Sequence, residues 1–310
     1  MKILHGFDSP ADYRGGYVSI GNFDGVHRGH QSMAAALIRR ARAAGAPAVA
    51  LTFDPHPIRI LRPAQAPPAL TTTDRKLELL AECGIDATIV YPTDRALLDL
   101  TPREFFETVV QGELAAAGLV EGPNFFFGHN RAGNVQTLEE FCRSAAISLE
   151  IVPPVQVGNQ LVSSTEVRGL LAAGRVAQAA ELLGHNYRLR GVVVYGAARG
   201  RTIGFPTANL AQVETVVPRD GVYAARALYN GQWFAAAMNV GSNPTFADQQ
   251  RKIEVHCIDF TGDLYGHTLD VELLEHLRDT TPFADIGALQ EQLRCDINRA
   301  RALANALPAG

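Results

Sequence analysis

The segment Tyr17-Val18-Ser19-Ile20-Gly21-Asn22-Phe23-Asp24-Gly25-Val26-His27-Arg28-Gly29-His30 decides how the first half of the chain is read. Tyr17 to Ile20 is a short β-prone run, and Gly21 to Gly25 is a turn. From His30 to Ala44 apolar residues recur at helical spacing (Met33, Leu37, Ile38, Ala41), and Gly45 stops the helix. The first N–H groups of a helix lack partners and carry partial positive charge, so a helix entered from a strand-turn suits a phosphate. Gly29 lets the backbone approach closely. His27 and His30 at that mouth can donate hydrogen bonds and neutralise charge building up at a phosphorus under attack. Two histidines three apart also suit a metal or a plain surface, although no third ligand and no H-E-x-x-H pattern accompanies them.

Working outward, the alternation continues. Ala48 to Phe53 reads as a strand buried on both faces, broken at Asp54-Pro55-His56-Pro57. Thr73 to Cys83, Pro102 to Leu114 and Leu138 to Ala146 read as helices; Ala87 to Tyr91, Leu119 to Val120 and Leu149 to Val152 read as strands. Strand–helix alternation predicts an open parallel α/β sheet. Ser164 to Ala172 and Val176 to Leu183 read as two helices that close this half. After Gly184 the texture changes to β-prone runs at 187–195, Gly221 to Leu228, Trp233 to Val240, Ile253 to Phe260 and Thr268 to Leu274. Asn230-Gly231 is a hairpin signal. These runs predict an antiparallel barrel, closed by a helix from Leu289 to Leu303. The fold class is therefore α/β plus β, with domains at 1–183 and 184–310.

A length of 310 residues favours two domains, and 47% hydrophobic residues is enough for each to bury a core. The net charge of −4 offers no general basic field for nucleic acid. Cys83, Cys142, Cys257 and Cys295 form no C-x-x-C pair and read as reduced, mostly buried thiols. Met1 to Gly6 carries no signal-peptide pattern, and no apolar run approaches the ~20 residues of a membrane span. These features predict a cytoplasmic protein without membrane partners. They leave homo-oligomerisation open.

Three further segments carry candidate chemistry. Ser163-Ser164-Thr165 followed by Arg168 offers a helix cap, read at Ser164 or Thr165, and a guanidinium fork for phosphate. Gly204-Phe205-Pro206-Thr207-Ala208-Asn209 is a glycine-bearing turn without a Walker lysine. Thr207 and Asn209, two apart, point the same way in an extended segment and are hard ligands suited to Mg²⁺, or simply capping residues of a turn. Glu254 and His256 share a strand face opposite Ile253, Val255 and Cys257. Glu254 reads as solvent-facing, or as a general base if it faces the inside of a barrel.

In order and spacing, Gly21 to His30, Thr52 to Pro57 and Ser163 to Arg168 resemble the FMN adenylyltransferase module of bacterial bifunctional riboflavin kinase/FAD synthetases. Gly204 to Asn209, Val240 to Phe246, Glu254-Val255-His256, Asp259-Phe260 and Tyr265-Gly266 resemble its riboflavin kinase module. The resemblance implies a Rossmann-like nucleotidyltransferase domain and a small kinase β-barrel. It implies ATP and Mg²⁺ as reactants, and riboflavin, FMN and FAD as substrate and products. It assigns catalytic roles to His27, His30 and Glu254, and Mg²⁺ to Thr207 and Asn209. It assigns ATP and phosphate contacts to Gly21, Phe23, Asp24, Gly29, Asn124, Ser163, Ser164, Thr165, Arg168, Gly204 and Pro206. Asn124 replaces an aspartate common in the family, Tyr195 a histidine, and Ala197-Ala198 acidic or glycine residues. Nucleotidyl transfer to another phosphorylated acceptor and a catalytically inert flavin carrier are the competing readings. The fused kinase motifs and the retained site residues argue against both.

Overall fold

The computed structural model describes residues 1–196, 199–243 and 248–307. Contacts divide the chain into two compact units: Met1–Pro67 with Thr73–Val162, and Pro68–Thr72 with Ser163–Gly310. Ala197-Ala198 and Pro244 to Phe246, both singled out in the sequence, lie outside the described residues.

In the first unit, strands β1 (Lys2–His5), β2 (Tyr17–Ile20), β3 (Ala48–Asp54), β4 (Ala87–Pro92), β5 (Gly118–Glu121) and β6 (Ser148–Ile151) form one sheet in the order β1-β4-β3-β2-β5-β6. Every pairing is parallel. Helices α1 (Arg28–Ala44), α2 (Thr73–Glu82) and α3 (Val135–Ser144) connect the strands. Alternation in β3 feeds two cores. Ala48 and Ala50 pack with Leu37, Ala41, Leu79 and Leu80 of α1 and α2. Val49 and Leu51 face Phe105, Phe106, Val109, Val110 and Leu138 on the other side. The chain leaves β2 toward β3 on one side of the sheet, while β5 lies on the other. This is the topological switch at which open α/β sheets bind ligands, at the carboxyl ends of the strands.

The second unit begins with α4 (Ser164–Ala172) and α5 (Val176–Leu183). Strands β9 (Tyr187–Val194), β10 (Ala208–Ala211), β11 (Gly221–Tyr229), β12 (Gln232–Asn243), β13 (Asp248–Cys257) and β14 (Thr268–Arg278) close a barrel, the first unit's hairpin having supplied β7 (Gln156–Val157) and β8 (Gln160–Leu161). All its pairings are antiparallel. Asn230 (φ 49°) and Gly231 (φ 77°) turn β11 into β12, as the Asn-Gly signal predicts. Leu189, Val193, Met238, Val240, Val255, Leu269 and Val271 are buried and fill the interior. Outside, α6 (Ile286–Asn305) lays Ile297, Ala300 and Leu303 on Ala224, Ala235, Ala237 and Leu274. Asp285 caps α6, accepting from Ala288 N–H at 2.8 Å.

Several expectations need correcting. The helix from Pro102 starts with one α-turn, Pro102–Phe105, then winds as a π-helix over Phe106–Glu113. β1, β7, β8 and β10 are strands that the sequence did not signal, each being four residues or fewer. All four cysteines are free thiols, but only Cys142 is buried; Cys83 and Cys257 are partly covered and Cys295 is exposed on α6. Among the described residues, no helix is long and apolar enough to cross a membrane.

Candidate active sites

The first site forms where the chain leaves β2. The turn is tight, with positive φ at Phe23 (46°), Gly25 (83°) and Val26 (36°). A β-branched residue in that region is an outlier, of the kind that clusters at functional sites. His27 ends the turn and caps α1, its Nδ1 accepting from His30 N–H at 3.4 Å. That tautomer leaves Nε2–H as its donor. The His27 and His30 rings stack with centroids 3.7 Å apart, and Phe23 meets His30 edge-on at 5.4 Å. A Cβ on residue 29 would come within 3.1 Å of the His27 ring, so glycine there makes room for the stack. Burial, then the neighbouring charges of His27 and Lys76, holds His30 well below the usual histidine range. His30 Nδ1 and Asn22 Oδ1 are buried with no hydrogen-bond partner among the described residues. Buried polar atoms without a partner call for an explanation, and the polar atoms of a ligand are one.

The other predicted residues of this site are distributed as follows. Gly21, Phe23, Asp24 and Gly29 share the turn and helix start with the two histidines, Phe23 and Asp24 being buried. Asn124 is exposed in the turn after β5, the strand beside β2. The neighbouring aromatics divide: Phe127 is buried in the core, Phe125 packs against it, and Phe126 is 45% exposed beneath the Arg131 guanidinium. Ser163, Ser164, Thr165 and Arg168 belong to the second compact unit. The cap there is Ser163, not Ser164 or Thr165. Its extended backbone (φ −156°, ψ 158°) lets Oγ accept from Glu166 N–H at 3.2 Å, whereas Ser164 is already helical. Arg168 Nε donates to the Pro68 carbonyl at 2.9 Å.

Two buried ionisable groups near the first site were missed in the sequence. Glu121, at the carboxyl end of β5, is 1% exposed and accepts from Ile20 N–H of β2 at 2.7 Å. Burial pushes its carboxyl well above the ordinary range. Lys76 is 7% exposed and donates to Thr52 Oγ1 at 3.3 Å. It was legible: Lys76 lies three and four residues before Leu79 and Leu80, so a lysine occupies the core-facing stripe of α2.

The second site lies on the barrel wall. Register pairs Asn209 of β10 directly with Glu254 of β13, and Glu254 with Asn239 of β12. Directly opposed residues have Cβ atoms about 4.5–5.5 Å apart, so the three side chains form one polar row. Thr207 precedes β10 by one residue, two before Asn209. The row is on the outer face. Ile253 and Val255 are the buried, interior residues of β13, while Glu254 is only partly covered. The interior placement considered for a base is thus not the one adopted, because the small barrel's inside is filled by apolar side chains. A loop lies along this wall instead. The Pro206 carbonyl meets His256 Nδ1 at 2.7 Å, Phe205 contacts the His256 ring edge-on at 6.0 Å, and Gln290 of α6 holds the Ile203 carbonyl at 3.1 Å. Gly204 turns this loop with φ 88°. A side chain at Gly196 would collide with the Asn209 amide. Tyr195, 79% exposed, stacks on Tyr265 at 4.0 Å. Asn239 was missed; its signal is an amide within the otherwise apolar run Ala235 to Val240.

A bifunctional riboflavin kinase/FMN adenylyltransferase of Escherichia coli (strain K12) is 36% identical to this chain over 304 residues, covering 97% of each. The chain belongs to this family. Residues 9–166 match the family model for FAD synthetase, and residues 183–304 match that for riboflavin kinase. Bifunctional relatives of the same description from Pseudomonas fluorescens (35% identical, 98% of each chain) and Bacillus subtilis (32%, 90% of this chain and 89% of the relative) extend the similarity. A crystal structure from Streptococcus pneumoniae, titled a macrolide-efflux protein, is similar with a TM-score of 0.84 and 31% identity over 97% of this chain and 99% of that one. The two matched modules fall in the two compact units, except that residues 68–72 and 163–166 of the first match lie in the second unit.

Proposed function

We propose that the two sites divide two ATP-dependent steps. Residues 184–310 phosphorylate riboflavin to FMN at the Thr207–Asn209–Glu254 wall. Residues 1–183 transfer AMP from ATP to FMN at the His27–His30 mouth, giving FAD and pyrophosphate. The observation that carries the kinase half is the register of Asn209 against Glu254, which joins two distant motifs in one polar row. Glu254 serves as the acceptor of the proton from the ribityl 5′-hydroxyl as that oxygen attacks the γ-phosphorus, whose bond to the bridging oxygen breaks to release ADP. In the adenylyl half, an FMN phosphate oxygen attacks the α-phosphorus directly, so no enzyme nucleophile is needed. His27, His30 and the N–H groups opening α1 bind phosphate oxygens as charge develops. Asp24 and Asn124 add nucleotide contacts in the same unit.

Mg²⁺ fits the kinase residues. Asn209 and Glu254 are paired across the wall and Thr207 lies two residues before Asn209, so an amide oxygen, a carboxylate and a hydroxyl, all hard oxygen donors, come from one short stretch of it. Thr207 and Asn209 would hold the ion together with ATP phosphates. When bound, it neutralises phosphate charge during transfer. The working compartment is the cytoplasm, the partners are small molecules and not nucleic acid or membrane, and a homo-oligomer is compatible with both sites. Incubation with riboflavin and Mg-ATP, followed by separation of the flavins, tests the reading. FMN should appear first and FAD after it; riboflavin left unconverted would refute it.

A further inference from the structure

Lys76 has no part in the steps above, yet it is buried beneath the first site. Its ammonium donates to Thr52 Oγ1 at 3.3 Å, and Thr52 Oγ1 donates to the Asn22 carbonyl at 3.3 Å. Thr52 is fully buried, so water does not compete for this relay. The relay joins α2, through β3, to the turn whose Phe23 and Val26 hold left-handed backbone. Strained backbone of that kind persists only where its surroundings over-determine it.

We propose that Lys76 is a positioning residue for adenylyl transfer, its buried ammonium tied through Thr52 to the Asn22 carbonyl so that the 21–27 turn presents His27 and His30 to the phosphates. This rests on reading those histidines as the phosphate site. The charges run in the same sense. His30 stacks on the ring of His27 and meets the edge of Phe23, and the charge of Lys76 acts on it. Asp24 in the turn and Asp54 at the end of β3 act on Lys76, favouring its charged form against the burial that lowers it. In the proposal the lysine carries the positive charge, and burial, His27 and Lys76 together keep the His30 imidazole neutral. His30 meets phosphate as a hydrogen-bond donor and not as an ion, and Lys76 supplies a fixed field that needs no reorganisation during transfer.

The test uses Lys76→Met in the full-length chain. The His30 ring is titrated by NMR, and kcat and KM for FMN adenylylation are measured. His30 should titrate at higher pH than in the parent, and kcat should fall by about ten- to a hundredfold, with KM for ATP changing less. An unchanged His30 midpoint or an unchanged kcat overturns the proposal. If Lys76→Met does not fold, Thr52→Val takes its place. It keeps the ammonium and removes the link, so kcat should again fall at least about tenfold; parental kcat overturns the proposal. His30→Ala separates the two levels. If it keeps parental adenylylation, the phosphate-site reading fails, and the Lys76 role with it. If it abolishes adenylylation while the Lys76 and Thr52 variants behave like the parent, only the Lys76 role fails.

Discussion

Replacing Glu254 by Gln keeps the side chain's shape beside Asn209 and Asn239 and removes its ability to take a proton. FMN formation should then fall by roughly 10²–10⁴-fold, the usual contribution of a general base. Conversion of supplied FMN to FAD should continue at the parental rate. His30→Ala should do the reverse. Adenylylation should drop by roughly 10²–10³-fold, as when one charge-stabilising donor is lost, while riboflavin phosphorylation continues. Initial rates of each half-reaction check both. At this scale the sequence was informative where residue types are rare for their position. His27-x-Gly29-His30 at a helix start and Thr207-x-Asn209 after a glycine turn both stood out. Glu121 did not, because a charged residue at the end of an apolar run is read as surface unless the strand end it occupies is known to be covered; Lys76 was legible from its place on the Leu79–Leu80 stripe but was passed over. Glu254 was singled out with both faces left open: alternation gives two faces and does not say which is the inside of a barrel.

Elements carry their own test at the junction of β2 and β5, where the Glu121 carboxyl accepts from Ile20 N–H inside the core. Burial raises its folded-state pKa well above the unfolded value. Between those two values the folded chain retains a proton that the unfolded chain has lost. The fold is therefore most favoured below the unfolded pKa, and stability declines as pH rises toward the folded pKa, by at most about 1.4 kcal/mol per pH unit. Glu121→Gln keeps the acceptor oxygen and removes the titration. Its Tm relative to the parent should rise between pH 5 and pH 8; a gap that stays constant with pH would count against a protonated Glu121. Most long elements were legible because period and stop signals agreed: Gly45 ends α1 in left-handed backbone at φ 63°, and Asn230-Gly231 makes its hairpin. The misses were short. β1 is a four-residue edge strand, and β10 is four residues following a proline-bearing turn. Neither is long enough for alternation to show.

For the whole molecule, the change from strand–helix alternation to successive β-runs marked two architectures correctly, since parallel and antiparallel sheets bury their strands differently. It did not reveal that residues 163–183, helical like the first half, contact the barrel's unit. Periodicity records which face of a helix is apolar and not what covers it. The family similarity spans 97% of the chain and both modules. On the proposed reading, one chain holds two separate phosphate-handling sites linked by FMN. Complementation tests it most directly: the Glu254→Gln and His30→Ala proteins are incubated with riboflavin and Mg-ATP, alone and mixed, and the flavins are separated. Glu254→Gln alone should leave riboflavin unconverted, His30→Ala alone should stop at FMN, and the mixture should make FAD. Loss of both half-reactions in either folded variant, or a mixture that yields no FAD, would contradict the account.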